Sequence, residues 1–98
     1  MYLTPHIPQI KKLCEHHKVE RLYAFGSVLT DRFSKDSDVD LVVNFVSMSL
    51  EVYADNYFDF KFSLEDMLNR RIDLLEGQAI RNPYLRQNID SSKQLIYG

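Results

Sequence analysis

Phe25-Gly26-Ser27-Val28-Leu29-Thr30-Asp31-Arg32-Phe33-Ser34-Lys35-Asp36-Ser37-Asp38-Val39-Asp40-Leu41-Val42-Val43-Asn44-Phe45 is the stretch on which the reading of this chain turns. It opens on Gly26-Ser27, crosses ten residues, and closes on Asp38-Val39-Asp40 at the head of an apolar run. The run Val39 to Val46 is dominated by β-branched and aromatic residues and predicts a strand. Side chains of a strand alternate faces, so Asp38 and Asp40 are expected on one side, roughly 6.5–7 Å apart along the chain. Two carboxylates held that way repel each other and favour a cation between them. A pair of divalent ions about 3.5–4 Å apart, as used in phosphoryl chemistry, fits such a gap.

The rest of the chain sets bounds. Its 98 residues predict one domain over 1–98, with room for a modest core and no second lobe. A composition of 45% hydrophobic and 27% charged residues is that of a folded soluble protein. The net charge of −2 argues against a dedicated nucleic-acid binder, which normally carries a basic footprint. Cys14 is the single cysteine, so neither a disulfide framework nor a cysteine zinc site is available. There is no apolar run long enough for a membrane span and no signal-peptide core, which makes a cytoplasmic protein the default expectation.

Outward from the central stretch, the pattern predicts helices packed on a small sheet. Thr4-Pro5 predicts a helix start with the Thr4 hydroxyl as cap, and Ile7, Ile10, Leu13 and Cys14 recur at helical spacing. His16, His17 and Lys18 fall in its last turn, where capping is a better account of them than metal binding. Val19 to Phe25 predicts the first strand, ended by Gly26, and Ser27 to Phe33 a loop or short helix. Leu50 to Arg70 predicts a long helix with Tyr53, Tyr57, Phe60, Leu64, Met67 and Leu68 on one stripe. Ser63-Leu64-Glu65-Asp66 offers a second cap, so two helices meeting near Phe62 are an alternative. Phe58 and Phe62 lie on another flank. A wide apolar face wrapped against the core is the preferred account of them, and an exposed patch for association is the other. Arg71 to Leu75 predicts a third strand with Asp73 facing opposite to Ile72 and Leu74. Asn82-Pro83 predicts a last helix to about Ile89, and Leu95-Ile96-Tyr97 a short apolar end. The class is α/β (α+β), in the order αβ(α)βαβα.

Three rival readings of the acids fail on the residues. A calcium loop starting at Asp36 needs glycine at its sixth position and glutamate at its twelfth, where the chain has Leu41 and Ser47. A plain turn explains Asp36-Ser37 but not Asp40 or Asp73 inside strands. Ser27 lacks the surrounding pattern of a nucleophile elbow. Metal-assisted phosphoryl or nucleotidyl transfer is left, with hard oxygen ligands that suit Mg²⁺. In that reading Gly26 lets the backbone approach a phosphate, and the N–H groups after Ser27 hold it.

Gly-Ser, ten residues, Asp-x-Asp and a third acid on a later strand together resemble the signature of the DNA polymerase beta-type nucleotidyltransferase superfamily. Phe25-Gly26-Ser27 through Ser37-Asp38-Val39-Asp40-Leu41-Val42-Val43 is similar to its minimal nucleotidyltransferase group, and the likeness extends over nearly the whole chain. The resemblance implies a nucleotidyltransferase fold in which Asp38 and Asp40 ligate two Mg²⁺ ions. It implies that Asp73 joins one ion and helps activate the attacking hydroxyl, and that Gly26 and Ser27 hold the triphosphate of ATP or another nucleoside triphosphate. Group members often carry arginines just after Gly-Ser. This chain has Val28 and Thr30, and Arg32 or Lys35 is left to supply the charge.

The predicted elements use up the chain, so another surface is expected to supply the acceptor, either a second copy (a homo-oligomer) or a different protein. The resemblance implies an antitoxin that transfers AMP to a HEPN-type ribonuclease toxin. The main alternative is a non-catalytic antitoxin that masks the toxin by contact, using aromatics such as Phe58 or Phe62. Nucleotidylation of a small molecule of the aminoglycoside type is a third reading, and direct action on nucleic acid is not expected.

Overall fold

The computed structural model describes all residues from Met1 to Gly98. Helix α1 (Ile7–His16) is followed by β1 (Val19–Phe25), β2 (Val39–Phe45), helix α2 (Leu50–Leu68), β3 (Ile72–Glu76), helix α3 (Pro83–Ser92) and β4 (Gln94–Tyr97). The strands form one mixed sheet in the order β3-β2-β1-β4. β1 pairs antiparallel with both β2 and β4, and β2 pairs parallel with β3. No helix is long and apolar enough to cross a membrane.

Alternation along the central strands explains the layers. Val39, Leu41, Val43 and Phe45 of β2 are buried, as are Leu22 and Ala24 of β1 and Ile72 and Leu74 of β3. These residues form one apolar cluster with Ile10 and Cys14 of α1 and Phe60, Leu64 and Leu68 of α2. The rings of Phe45 and Phe60 meet edge-on at 5.9 Å between centroids, a favoured aromatic geometry. Burial and the neighbouring charge of Glu15 push the Cys14 thiol up to about 12, so it behaves as an inert apolar group. On the opposite face, Tyr23 and Val42 line a cavity of about 240 Å³ together with Ile89 of α3. That face also carries Asp40 and Asp73, because a strand puts every second residue on the same side.

Several local expectations are corrected. Leu95 to Tyr97, expected only as a short apolar end, belongs to β4, which pairs with β1 from Ala24 to Leu22 and gives the sheet a fourth strand. Four residues are too few to show an alternating pattern, so only the pairing reveals it. The Thr4 hydroxyl makes no cap. Thr4–His6 is a 3₁₀ turn, and α1 begins at Ile7 with Pro8 in its first turn. Helix α2 is continuous through Phe62 and Ser63, because Phe60 and Leu64 on either side of the alternative cap are both driven into the core. The wrapped-face account of Phe58 and Phe62 also fails. They are 48% and 52% exposed and stack on each other at 5.8 Å. Other details match the expectation: His17 Nδ1 donates to the Leu13 carbonyl at 2.7 Å, and the Asn82 side chain accepts from the Tyr84 and Leu85 amides.

The two aromatics on α2 therefore differ in kind. Phe60→Ala is expected to lower the unfolding free energy by about 3–5 kcal/mol, as removal of a buried ring does. Phe62→Ala should cost under about 1 kcal/mol. Urea titration of both variants measures the difference, and equal losses would contradict the packing described.

Candidate active site

The site grows from strand register. Parallel pairing aligns Asp40 of β2 with Asp73 of β3, and antiparallel pairing aligns the same Asp40 with Phe25, the last residue of β1. Asp40 is thereby held between a second acid on one side and the Gly26 turn on the other. Gly26 has φ +75°, in the left-handed region that glycine tolerates best. A Cβ built on Gly26 would lie 2.5 Å from Asp40 Oδ2, so a side chain there would collide with the carboxylate. Glycine is required at this position both by backbone conformation and by the close approach of an acid.

After Gly26 the chain makes a 3₁₀ turn, Gly26–Leu29, anchored by the buried side chain of Val28. The Ser27 carbonyl accepts from the Thr30 amide at 2.9 Å and from Thr30 Oγ1 at 3.0 Å. Thr30 Oγ1 in turn accepts from the Arg32 amide at 3.2 Å. Beside this turn runs an open groove of about 590 Å³ lined by Gly26, Ser27, Leu29, Thr30, Arg32 and Ser92. Of the two cations expected nearby, Arg32 lines this groove and Lys35 does not. Thr30 and Ser92 are the residues that sequence reasoning missed. Thr30 stood in the chain only as a departure from an expected arginine. Ser92 gave no signal at all, since it reaches the groove only because α3 runs from one edge of the sheet to the other.

The electrostatics of the acids are unbalanced. The Asp40 carboxyl is pushed up from 3.8 to about 6, first by partial burial, then by the charges of Asp73 and Asp38 and a hydrogen bond with Asp73. Asp40 and Asp73 are thus brought together. Asp38, exposed and one residue ahead of β2, acts on Asp40 through charge. No three His, Cys, Asp or Glu side chains stand together as a metal-holding group, so the structure pairs Asp40 with Asp73 but does not gather all three expected acids into one cage. The donor set nevertheless fits a hard divalent cation. Mg²⁺ uses one or two carboxylates, keeps several waters and completes its shell with substrate phosphates.

The raised Asp40 value sets the sign of a pH effect. Between about 3.8 and 6 the folded protein holds a proton that the unfolded chain releases, so this contribution to stability is present at low pH and is lost as pH rises through about 6. Asp40→Asn should therefore be more stable than the parent protein at pH 7.5, with the gap shrinking at pH 4.5. Urea midpoints of both proteins at the two pH values measure it, and a gap independent of pH would contradict the clustering of charge.

The likeness of this chain to known proteins runs over nearly its whole length. The family model described as "Polymerase beta, Nucleotidyltransferase" matches residues 8–98. A relative from Methanocaldococcus jannaschii, "Putative protein adenylyltransferase MJ0128", is 32% identical over 87 residues, covering 89% of this chain and 84% of that protein. A solved structure described as a "putative minimal nucleotidyltransferase" superposes with a TM-score of 0.77 at 27% identity, over 95% of this chain and 91% of that one. The fold is shared as well by a chain from the complex of a tri-AMPylated Shewanella oneidensis HEPN toxin with an MNT antitoxin. Its TM-score is 0.68 at 20% identity, over 96% of this chain and 71% of that one. With the match running over residues 8–98 and a relative 32% identical covered over most of its length, the chain belongs to the polymerase beta nucleotidyltransferase family.

Proposed function

We propose that this chain is a Mg²⁺-dependent protein adenylyltransferase that moves AMP from ATP to a hydroxyl of a partner protein. The observation that carries the proposal is the placement of Asp40 between Asp73 and the Gly26 turn, a turn that itself lines a groove with Ser27, Thr30 and Arg32. In this reading Gly26 and Ser27 present backbone N–H groups and a hydroxyl to the triphosphate, and the Arg32 guanidinium offsets its charge. Asp38, Asp40 and Asp73 would hold two Mg²⁺ ions, which when bound supply charge neutralisation at the reacting phosphate. The acceptor oxygen attacks the α-phosphorus, and the bond from that phosphorus to the β-phosphate oxygen breaks to release pyrophosphate. Asp73 takes the proton of the acceptor hydroxyl. The remaining contribution is position and electrostatic complementarity, which suffice for much of phosphoryl-transfer catalysis.

Support for a protein acceptor comes from the M. jannaschii relatives, described as "putative protein adenylyltransferase", and from the neighbour in complex with a tri-AMPylated HEPN toxin. A HEPN-type toxin in the cytoplasm is the partner we propose for this chain. One observation favours a second reading, in which the protein masks its partner by contact alone: Phe58 and Phe62 form an exposed stacked pair on α2.

Incubation with labelled ATP, Mg²⁺ and the protein encoded beside it separates the two. Catalysis predicts label on the neighbour, lowered about 10²–10³-fold by Asp40→Asn, the scale seen when one electrostatic group of a site is removed. A stable complex without label, with an Asp38/Asp40 double variant that still suppresses the toxin, would establish masking instead.

A further inference from the structure

Arg70 makes an unusual set of contacts away from the Gly26 groove. It follows Asn69, whose left-handed backbone (φ 51°) ends α2 and turns the chain toward β3. Its Nη1 donates to two carbonyls of the distant loop before β2, those of Ser34 and Ser37, both at 2.8 Å. Its guanidinium carbon lies 4.3 Å from the ring centre of Phe33 and 4.7 Å from that of Tyr2. The chain's single ion pair joins Lys93 to Asp90, so Arg70 is not spent on a carboxylate.

The bonded carbonyls matter because of what comes next in sequence. Ser37 immediately precedes Asp38, and Val39 immediately follows it. The Val39 amide donates to the carbonyl of Arg71 at 3.0 Å. Residues 70 and 71 therefore grip the backbone on both sides of Asp38, one through a side chain and the other through the main chain. The same segment runs directly into β3, which carries Asp73. The loop is also braced from within, since the Ser34 amide donates to Ser37 Oγ at 3.0 Å and the Asp36 amide to Ser34 Oγ at 3.3 Å.

We propose that Arg70 is a positioning residue that fixes Asp38 relative to Asp73, and so sets the affinity of the acid cluster for a divalent cation. The proposal rests on the metal-binding reading given above. Arg70 does not line the groove beside Gly26 and acts through the Ser34–Ser37 loop. A flat guanidinium can stack against two rings while bonding two carbonyls. A lysine could donate to the carbonyls but could not stack in the same way.

The test uses Mn²⁺ as the probe, titrated by electron paramagnetic resonance into the parent protein and into Arg70→Met, Arg70→Lys and Asp40→Asn, with amide hydrogen exchange on the same samples. Loss of a residue that orients metal ligands typically lowers affinity 10–100-fold. Arg70→Met should show about a tenfold or greater loss at least, with faster exchange at Asp38 and Val39 and unchanged protection in the middle of α2. Arg70→Lys should fall between it and the parent, and it supplies the decision if the methionine variant does not fold. Parent-like Mn²⁺ affinity in the Arg70 variants, alongside weakened binding by Asp40→Asn, would overturn this proposal alone. Mn²⁺ binding indifferent to Asp40→Asn would overturn the metal reading and the proposal with it.

Discussion

The parallel pairing of β2 with β3, in the register that sets Asp40 beside Asp73, is the constraint on which the rest of the structure depends. Partial burial, and then the charges of Asp73 and Asp38, push the Asp40 carboxyl up to about 6, so its ionisation opposes folding. The register holds because a slip of one residue would turn Val39, Leu41 and Val43 out of the core and Asp40 into it. Burial of the apolar face thus fixes the acids on the other face. The same strand pins the Gly26 turn through its antiparallel partner, so a single central strand sets two sides of the site.

The division of the sheet into two faces also separates stability from chemistry. One face is closed by α1 and α2 around Phe60, Leu64 and Ile10. The other is crossed by α3 and keeps open ground around Gly26, Ser27 and Arg32. Since the fold is anchored on the covered face, substitution among the acids is compatible with a folded chain. The exposed aromatic pair on α2 lies on a helix that covers the apolar face, so contacts made there need not compete with groups at the acid end of the sheet.

Much of this was legible in the sequence, for identifiable reasons. Val39 to Phe45 and Val19 to Phe25 are long enough for alternation and β-branching to identify them as strands, and Gly26-Ser27 and Asp38-Val39-Asp40 carry spacing that few other arrangements share. Asn82-Pro83 announced α3 through local capping chemistry, which the backbone obeys. The fourth strand was not legible, because Gln94–Tyr97 is defined by its partner β1 and not by its own pattern. Phe58 and Phe62 misled because an apolar residue on a helix flank does not say whether anything packs on it. Ser92 in the groove and Arg70 under the loop were invisible for a related reason: their partners lie dozens of residues away and meet them only through the crossing of elements.

In the proposed function, Asp38, Asp40 and Asp73 bind metal beside a glycine turn that holds phosphate. Paramagnetic broadening of backbone amide resonances by Mn²⁺ with a non-hydrolysable ATP analogue maps that directly, since the loss of signal falls steeply with distance from the ion. The signals of Gly26, Ser27, Asp38, Asp40 and Asp73 are expected to disappear first, while those of α1 persist. Broadening centred on any other part of the surface, with the strand acids undisturbed, would contradict that reading.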